Sequence, residues 1–304
     1  MSTDPALPVS SGAASTQQSR RRWTSTDRKH LIIWLVLSFI LPTVLLFALY
    51  PEVARGRVVW TVQSEIFSKS ITAFGVALGT WIVSQLQKRR MDDYGIPPRQ
   101  ALGLRFWEGA VWGFAMLSAL LFALRATGHF QIRSVALSGA AIYKYALGWG
   151  LAFYLVGVSE EFAFRGYALF LAASRIGFWG AALSLSVGFA VAHIPNPGET
   201  FFGVLQVLVI GLLFCFMVRR TGTLWFALGF HAAWDWAQTF FYGTPDSGLE
   251  GQGHFLNSSV QGPSWLTGGS AGPEGSIFAP LVLLICAGLI HLRFPKTLFP
   301  DRPV

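Results

Sequence analysis

The sequence predicts an all-α, polytopic transmembrane helix bundle of about eight helices, on three observations. Hydrophobic residues make up 53% of the 304 and charged residues only 12%, where a soluble chain carries about 25% charged. Mean hydropathy is +0.49. Apolar runs of about twenty residues recur along the chain, the length that crosses a hydrocarbon core at about 1.5 Å per residue. The net charge of +8 sits in short basic clusters between those runs, so it reads as a topology signal, and no nucleic-acid partner is expected. Cys215 and Cys286 each lie inside an apolar run, which supports neither a disulfide framework nor a cysteine metal site.

In chain order, residues 1–30 are rich in Ser, Thr, Gln and Pro and end in Arg20, Arg21, Arg22, Arg28 and Lys29; they read as a disordered cytoplasmic tail. The bundle is expected over 31–293. Leu31 to Tyr50 is uncharged, longer than a signal-peptide core, and followed by no convincing cleavage site, so it is expected to stay as an anchor. Further apolar runs cover roughly 68–87, 106–124, 142–173, 176–194, 201–218, 222–241 and 276–292, which makes eight crossings. With the amino terminus inside, the inner side collects 16 Lys and Arg against 6 outside: Arg55, Arg57, Lys69, Arg125, Arg133 and Lys144. This imbalance puts both termini in the cytoplasm, residues 294–304 as a short tail. The Pro/Gly segment 194–200 is a turn, and 243–275, without one Lys or Arg, reads as an outer loop. No internal repeat is visible, which weakens a transporter built from inverted halves.

Ionisable residues inside such runs carry the functional signal, because each costs on the order of 2.5–3.5 kcal/mol near the bilayer centre. Glu160, Glu161 and Arg165 lie in the fourth run, His193 ends the fifth, and His231 and Asp235 sit in the seventh. Four formal charges unpaired and dry would cost roughly 10 kcal/mol, as much as a whole fold's stability, so they are expected to face one another or a wet cavity. Glu161 and Arg165, Phe189 and His193, and His231 and Asp235 are each four apart and share a helix face, while Glu160 points about 100° from Glu161. Asp235 is therefore expected to orient His231, and Glu161 to pair with Arg165. No second cation lies on the face of Glu160. Counted along straight helices from the inner surface, Glu160 and His193 lie roughly 20–27 Å deep and His231 and Asp235 roughly 12–18 Å. A tilt or a helix break has to close that gap.

A carboxylate and an imidazole of this kind can share the proton of a water held between them, and a second imidazole can donate to an oxyanion. Together they are enough to hydrolyse an amide. Covalent catalysis is poorly supported: no Cys lies near, and Ser159 has no nucleophile-elbow glycines around it. Glu160, His193 and His231 would also make a three-ligand zinc set, although no HExxH helix is present. The same residues could instead form a proton relay in a transporter, or belong to a membrane protein that binds a peptide without cutting it. Phe189 is expected to pack rather than to cage substrate. His30, His129, His254 and His291 fall in tails, loops or helix ends and receive no role.

Three ordered motifs, Glu160-Glu161-Phe-Ala-Phe-Arg165 (EExxxR), Phe189-Ala-Val-Ala-His193 (FxxxH) and His231-Ala-Ala-Trp-Asp235 (HxxxN/D), resemble those of the CPBP family of intramembrane proteases. That family includes the type II CAAX prenyl endopeptidases and bacteriocin-processing or immunity proteins, and the resemblance covers about 105–241. It implies a glutamate-type endopeptidase in the bilayer acting on a protein or peptide substrate. Glu160 and His193 would activate water, His231 and the residue four later would stabilise the oxyanion, and Glu161 and Arg165 would hold the site. It implies no cofactor, although the family was once regarded as metal-dependent and a divalent metal such as zinc stays open. The last motif position is often Asn; here it is Asp235, an anion that has no proton to donate. A bacterial cell membrane is the expected location.

Overall fold

A computed structural model describes residues 24–50, 52 and 60–303. Among these, nine helices account for most of the chain. They are α1 (Ser25–Leu49), α2 (Val62–Leu86), α3 (Leu104–Ala126), α4 (Ala140–Arg165), α5 (Tyr167–Ile176), α6 (Phe178–His193), α7 (Phe201–Thr221), α8 (Leu224–Trp236) and α9 (Phe278–Arg293). Five segments, α1, α2, α3, α4 with α5, and α7, are long and apolar enough to cross a membrane, and α6 and α9 are shorter apolar helices. Phe74, Phe122, Tyr143, Leu147, Leu284 and Leu292 are all exposed. An exposed apolar surface on helices of this length is suited to contact with lipid. The chain is an integral membrane protein.

The helix ends correct two expected boundaries. α1 starts at Ser25 rather than after residue 30, because Thr24 and Asp27 form a capping box: Asp27 N donates to Thr24 Oγ1 (3.1 Å) and Thr24 N to Asp27 Oδ2 (3.0 Å). Asp27 also takes an ion pair from Arg175 at 2.6 Å, which ties the start of α1 to α5. The rest of the expected tail, with Arg20 to Arg22, and the outer Arg55 and Arg57 lie outside the described residues. The fourth apolar run is two helices, broken at Gly166 (φ −86°, ψ −120°), so eight runs give nine helices. At this break α5 no longer adds its length to α4 in a straight line, which shortens the depth counted for Glu160. Further along α1, Val36–Ile40 is a π-helical turn; Pro42 has no N–H to offer Ser38, and Leu41 N bonds back to Val36 O instead.

α8 is buried on nearly every side, as a helix apolar all round must be. Its most extensive neighbour is α3. A Cβ at Gly109 or Gly113 of α3 would run into the carbonyl oxygen of Phe226 or Phe230 of α8, so the two backbones touch only because those positions lack side chains. α8 continues into a second π-helical turn, Ala237–Phe241.

The segment 243–275 is more ordered than a plain loop. Its strand β2 (Leu256–Val260) pairs antiparallel with β1 (Phe130–Val135), with a bulge between Ile132 and Ser134. Neither strand shows a long alternating pattern, which is why the sequence reading did not find them. Beyond α9, Leu298 N and Phe299 N donate to Arg219 O at 3.0 and 3.2 Å, pinning the carboxy-terminal residues to the end of α7.

The α3–α8 seam makes a direct prediction. Gly113→Val should overpack it at a cost of about 1–3 kcal/mol, seen as a lower Tm of the detergent-purified protein. Gly288→Val, at a glycine with nothing within 4 Å, should leave Tm unchanged.

Candidate active site

α4, α6 and α8 bring the six sequence-selected residues together in two layers. Glu160, His193, His231 and Asp235 line one cavity of about 210 Å³, together with Trp60, Glu65, Lys69, Phe153, Phe164, Asn196, Asp246, Ser247 and Leu249 among others. Glu161 and Arg165 stand behind that wall with no exposure at all.

The hidden layer is built on one oxygen. Glu161 Oε1 accepts from Arg165 Nη1 at 3.1 Å and from His231 Nδ1 at 2.9 Å. The first bond joins residues one helical turn apart on α4, as the i, i+4 spacing foretold. The second joins α4 to α8, and sequence spacing carries no sign of it. It corrects the expectation for Asp235: the carboxylate that orients the His231 ring is Glu161, while Asp235 Oδ2 stands 3.4 Å from the other ring nitrogen, Nε2. The ring is further held by stacking on Phe214, with centroids 5.0 Å apart.

The Arg165 guanidinium lies 4.1 Å from the centroid of Phe189 and within 5.6 Å of Phe164 and Phe214, a set of cation–π contacts in a dry setting. Phe189 therefore packs, as expected, but against the buried cation in particular. Gly211 of α7 gives Arg165 its room: a Cβ there would stand 2.8 Å from Nη2.

At the cavity, His193 Nδ1 is 2.9 Å from the Phe189 carbonyl. A carbonyl only accepts, so Nδ1 carries the proton and Nε2 is left with a lone pair. His231 Nδ1 faces a carboxylate and is protonated by the same reasoning. Its Nε2 stands 3.8 Å from Glu160 Oε2. Ser159 Oγ is spent on the carbonyl of Val156 at 2.9 Å.

Two groups at the cavity were missed by the sequence reading. Lys69, counted there as an outer topology charge, is the eighth residue of α2, and its Nζ lies 2.8 Å from Glu160 Oε1. The second cation that Glu160 lacks on its own helix thus comes from another one. The available signal was a Glu65/Lys69 pair, four apart, at the start of an apolar run. Asp246 and Ser247 come from the segment 243–275. They are held near the 194–200 turn by Asn196 Nδ2 donating to Ser247 O (2.9 Å) and by Gly198 N donating to Gly248 O (3.1 Å).

Among the described residues, no three His, Cys, Asp or Glu side chains are grouped so as to hold a metal ion, and Oε1 of Glu160 faces the Lys69 ammonium group.

Above the cavity, Glu274 Oε1 accepts from Ser247 N (2.7 Å) and Ser247 Oγ (2.8 Å). Burial pushes the Glu274 carboxyl up to about 7 from its ordinary 4.5, with the negative charge of Glu199 adding to it. Burial, and then the charge of Glu274, hold Asp246 well above the usual carboxylate range.

Two predictions follow from these layers. Glu161→Leu strands the buried Arg165 and should cost about 3–5 kcal/mol; adding Arg165→Met removes the stranded charge and should recover part of that loss in a thermal melt. For Glu274 the folded value lies above the unfolded one. Its contribution is therefore complete below about pH 4.5 and is lost as pH rises through about 7. Protection of the 247–249 amides, corrected for intrinsic base-catalysed exchange, should fall across that window, and Glu274→Gln should flatten the dependence.

Residues 142–237 match the family model Type II CAAX prenyl endopeptidase Rce1-like, which agrees with the CPBP resemblance of the motifs. No curated protein and no solved structure matches the chain significantly. The matched segment is about a third of the chain and contains Glu160, Glu161, Arg165, His193, His231 and Asp235; Lys69 and Asp246 lie outside it. The cluster of α4, α6 and α8 around one cavity thus lies within the segment that is similar to the type II CAAX prenyl endopeptidase Rce1-like model.

Proposed function

We propose that the protein is an intramembrane endopeptidase that hydrolyses a peptide bond of a membrane-associated protein or peptide through Glu160 and His193. The observation that carries this reading is the shared cavity. A carboxylate and an imidazole with a free lone pair line it, and they face a second imidazole whose far nitrogen is fixed by a buried carboxylate.

In the proposed reaction, water is held by the Nε2 lone pair of His193 and gives a proton to Glu160 as its oxygen attacks the scissile carbonyl. His231 acts in its doubly protonated form: Nδ1–H stays on Glu161, and Nε2–H donates to the oxyanion of the tetrahedral intermediate. When the C–N bond breaks, Glu160 returns its proton to the leaving amine, so carboxylate and imidazoles are regenerated. Asp235, an acceptor only, supports the charge on His231 rather than touching the oxyanion. Trp60, Phe153, Phe164 and Leu249 give the cavity an apolar wall, suited to a substrate presented from the bilayer. The family description makes prenylated CAAX peptides the first substrates to try. With Lys69 set aside as a cavity residue, the basic residues divide 16 to 5, which supports cytoplasmic termini, in a bacterial cell membrane on our reading.

The test is cleavage of a farnesylated CAAX peptide by the purified protein, alongside mapping of new peptide termini in membranes that contain it. Glu160→Gln and His193→Ala should each lower kcat by about 10²–10⁴-fold with Tm preserved. Full activity in both variants would overturn the mechanism. Tight peptide binding without cleavage by the unmodified protein would move the reading to a non-catalytic binder.

A further inference from the structure

The cavity's only lysine comes from α2, outside the matched segment, and it contacts the carboxylate on which hydrolysis depends. We propose that Lys69 is a positioning residue for the reaction. By holding Oε1 of Glu160, it commits Oε2 as the oxygen that works on water, and it keeps the carboxylate ionised in an apolar wall. This inference rests on the hydrolytic reading above and adds to it a residue that the motifs do not contain.

The geometry separates the two oxygens of Glu160. Oε1 takes Lys69 Nζ at 2.8 Å, and Oε2 lies on the side of His231, 3.8 Å from Nε2. A carboxylate is a two-fold rotor with broad torsional preference, so without an anchor either oxygen would face the water and neither would stay there. Lys69 is itself fixed from behind. Glu65 Oε1, one turn earlier on α2, stands 3.9 Å from Nζ, and Glu65 Oε2 accepts from Trp60 Nε1 at 2.9 Å. A chain of three side chains, Trp60, Glu65 and Lys69, thus delivers one positive charge from α2 to α4, two helices in extensive contact.

Charge balance requires that delivery. Around Glu160 stand Glu65 and Lys69 from α2, Glu161 and Arg165 from α4, His193 from α6, His231 and Asp235 from α8, and Asp246 from the turn that follows. Arg165 is engaged by Glu161, so Lys69 is the cation in contact with the base. An unpaired carboxylate in apolar surroundings takes up a proton, and a protonated Glu160 is too weak a base to take another from water. A lysine that merely joined two helices would leave the protonation of Glu160 without effect on rate.

The experiment compares Lys69→Met, Lys69→Arg and Glu65→Gln with the unmodified protein on the farnesylated peptide, over a range of pH. Lys69→Met should lower kcat by about 10²-fold with KM within about twofold, and should move the acid limb of the kcat profile to higher pH. Lys69→Arg should recover at least a tenfold part of that loss. Glu65→Gln frees Lys69 from its second anion and should move the acid limb the other way. Difference infrared titration of the carboxyl stretch that disappears in Glu160→Gln reads the same shifts without any turnover. That measurement and Glu65→Gln decide the matter should Lys69→Met fail to fold. Unmoved acid limbs and infrared titrations in these variants, or equal activity of Lys69→Met and Lys69→Arg, would overturn the proposal while the hydrolytic reading stands. An unmodified protein that cleaves nothing would instead sink the reading, and the infrared arm would still judge Lys69.

Discussion

One buried oxygen, Oε1 of Glu161, carries the arrangement of this protein's interior. It accepts from a guanidinium on its own helix and from an imidazole on α8, and none of Glu161 or Arg165 reaches solvent. In a low-dielectric setting a charge is tolerated only when paired and hydrogen-bonded, so the position of α8 relative to α4 is tied to the protonation and orientation of His231. The aromatic rings of Phe164, Phe189 and Phe214 close around the cation, which draws α6 and α7 into the same constraint. Four helices therefore share one electrostatic centre, and the cavity lies directly on its open side.

The fold class was legible because hydrophobic runs long enough to span a bilayer leave few alternatives, and the three motifs were legible because charges are rare there. Other features were illegible for identifiable reasons. The break at Gly166 lies inside one long hydrophobic stretch, where mean hydropathy is the same for one helix or two. The start of α1 at Ser25 is a matter of capping chemistry, and a reading that weighs only hydropathy passes over Thr24 and Asp27. Periodicity relates residues on one helix, so it found Glu161 with Arg165 and was silent on Glu161 with His231. It also assigned to Asp235 the orienting role that a different helix supplies.

Lys69 is the most instructive omission. Near the end of an apolar run, a lysine has two physical fates: its ammonium reaches the headgroup region, or it turns inward to an anion. Counting charges per side assumes the first. The glutamate one turn earlier favours the second, since a Glu and Lys so placed on an apolar helix relieve part of each other's cost. Reading intramembrane cations against every carboxylate in the chain, and not only those on the same helix, would have placed Lys69 beside Glu160.

The glycine seam between α3 and α8 has a bearing on how such a protein changes over time. With Phe226 and Phe230 carbonyls lodged against Gly109 and Gly113, the side of α8 away from the cavity admits almost no new side chain. The opposite wall draws Trp60 from just before α2, Phe153 from α4 and Leu249 from the segment 243–275, where replacement disturbs no backbone contact of that kind. Diversification of the cavity's lining is thus channelled to one side of the molecule, leaving α8 as a fixed rail along which new walls can be tried.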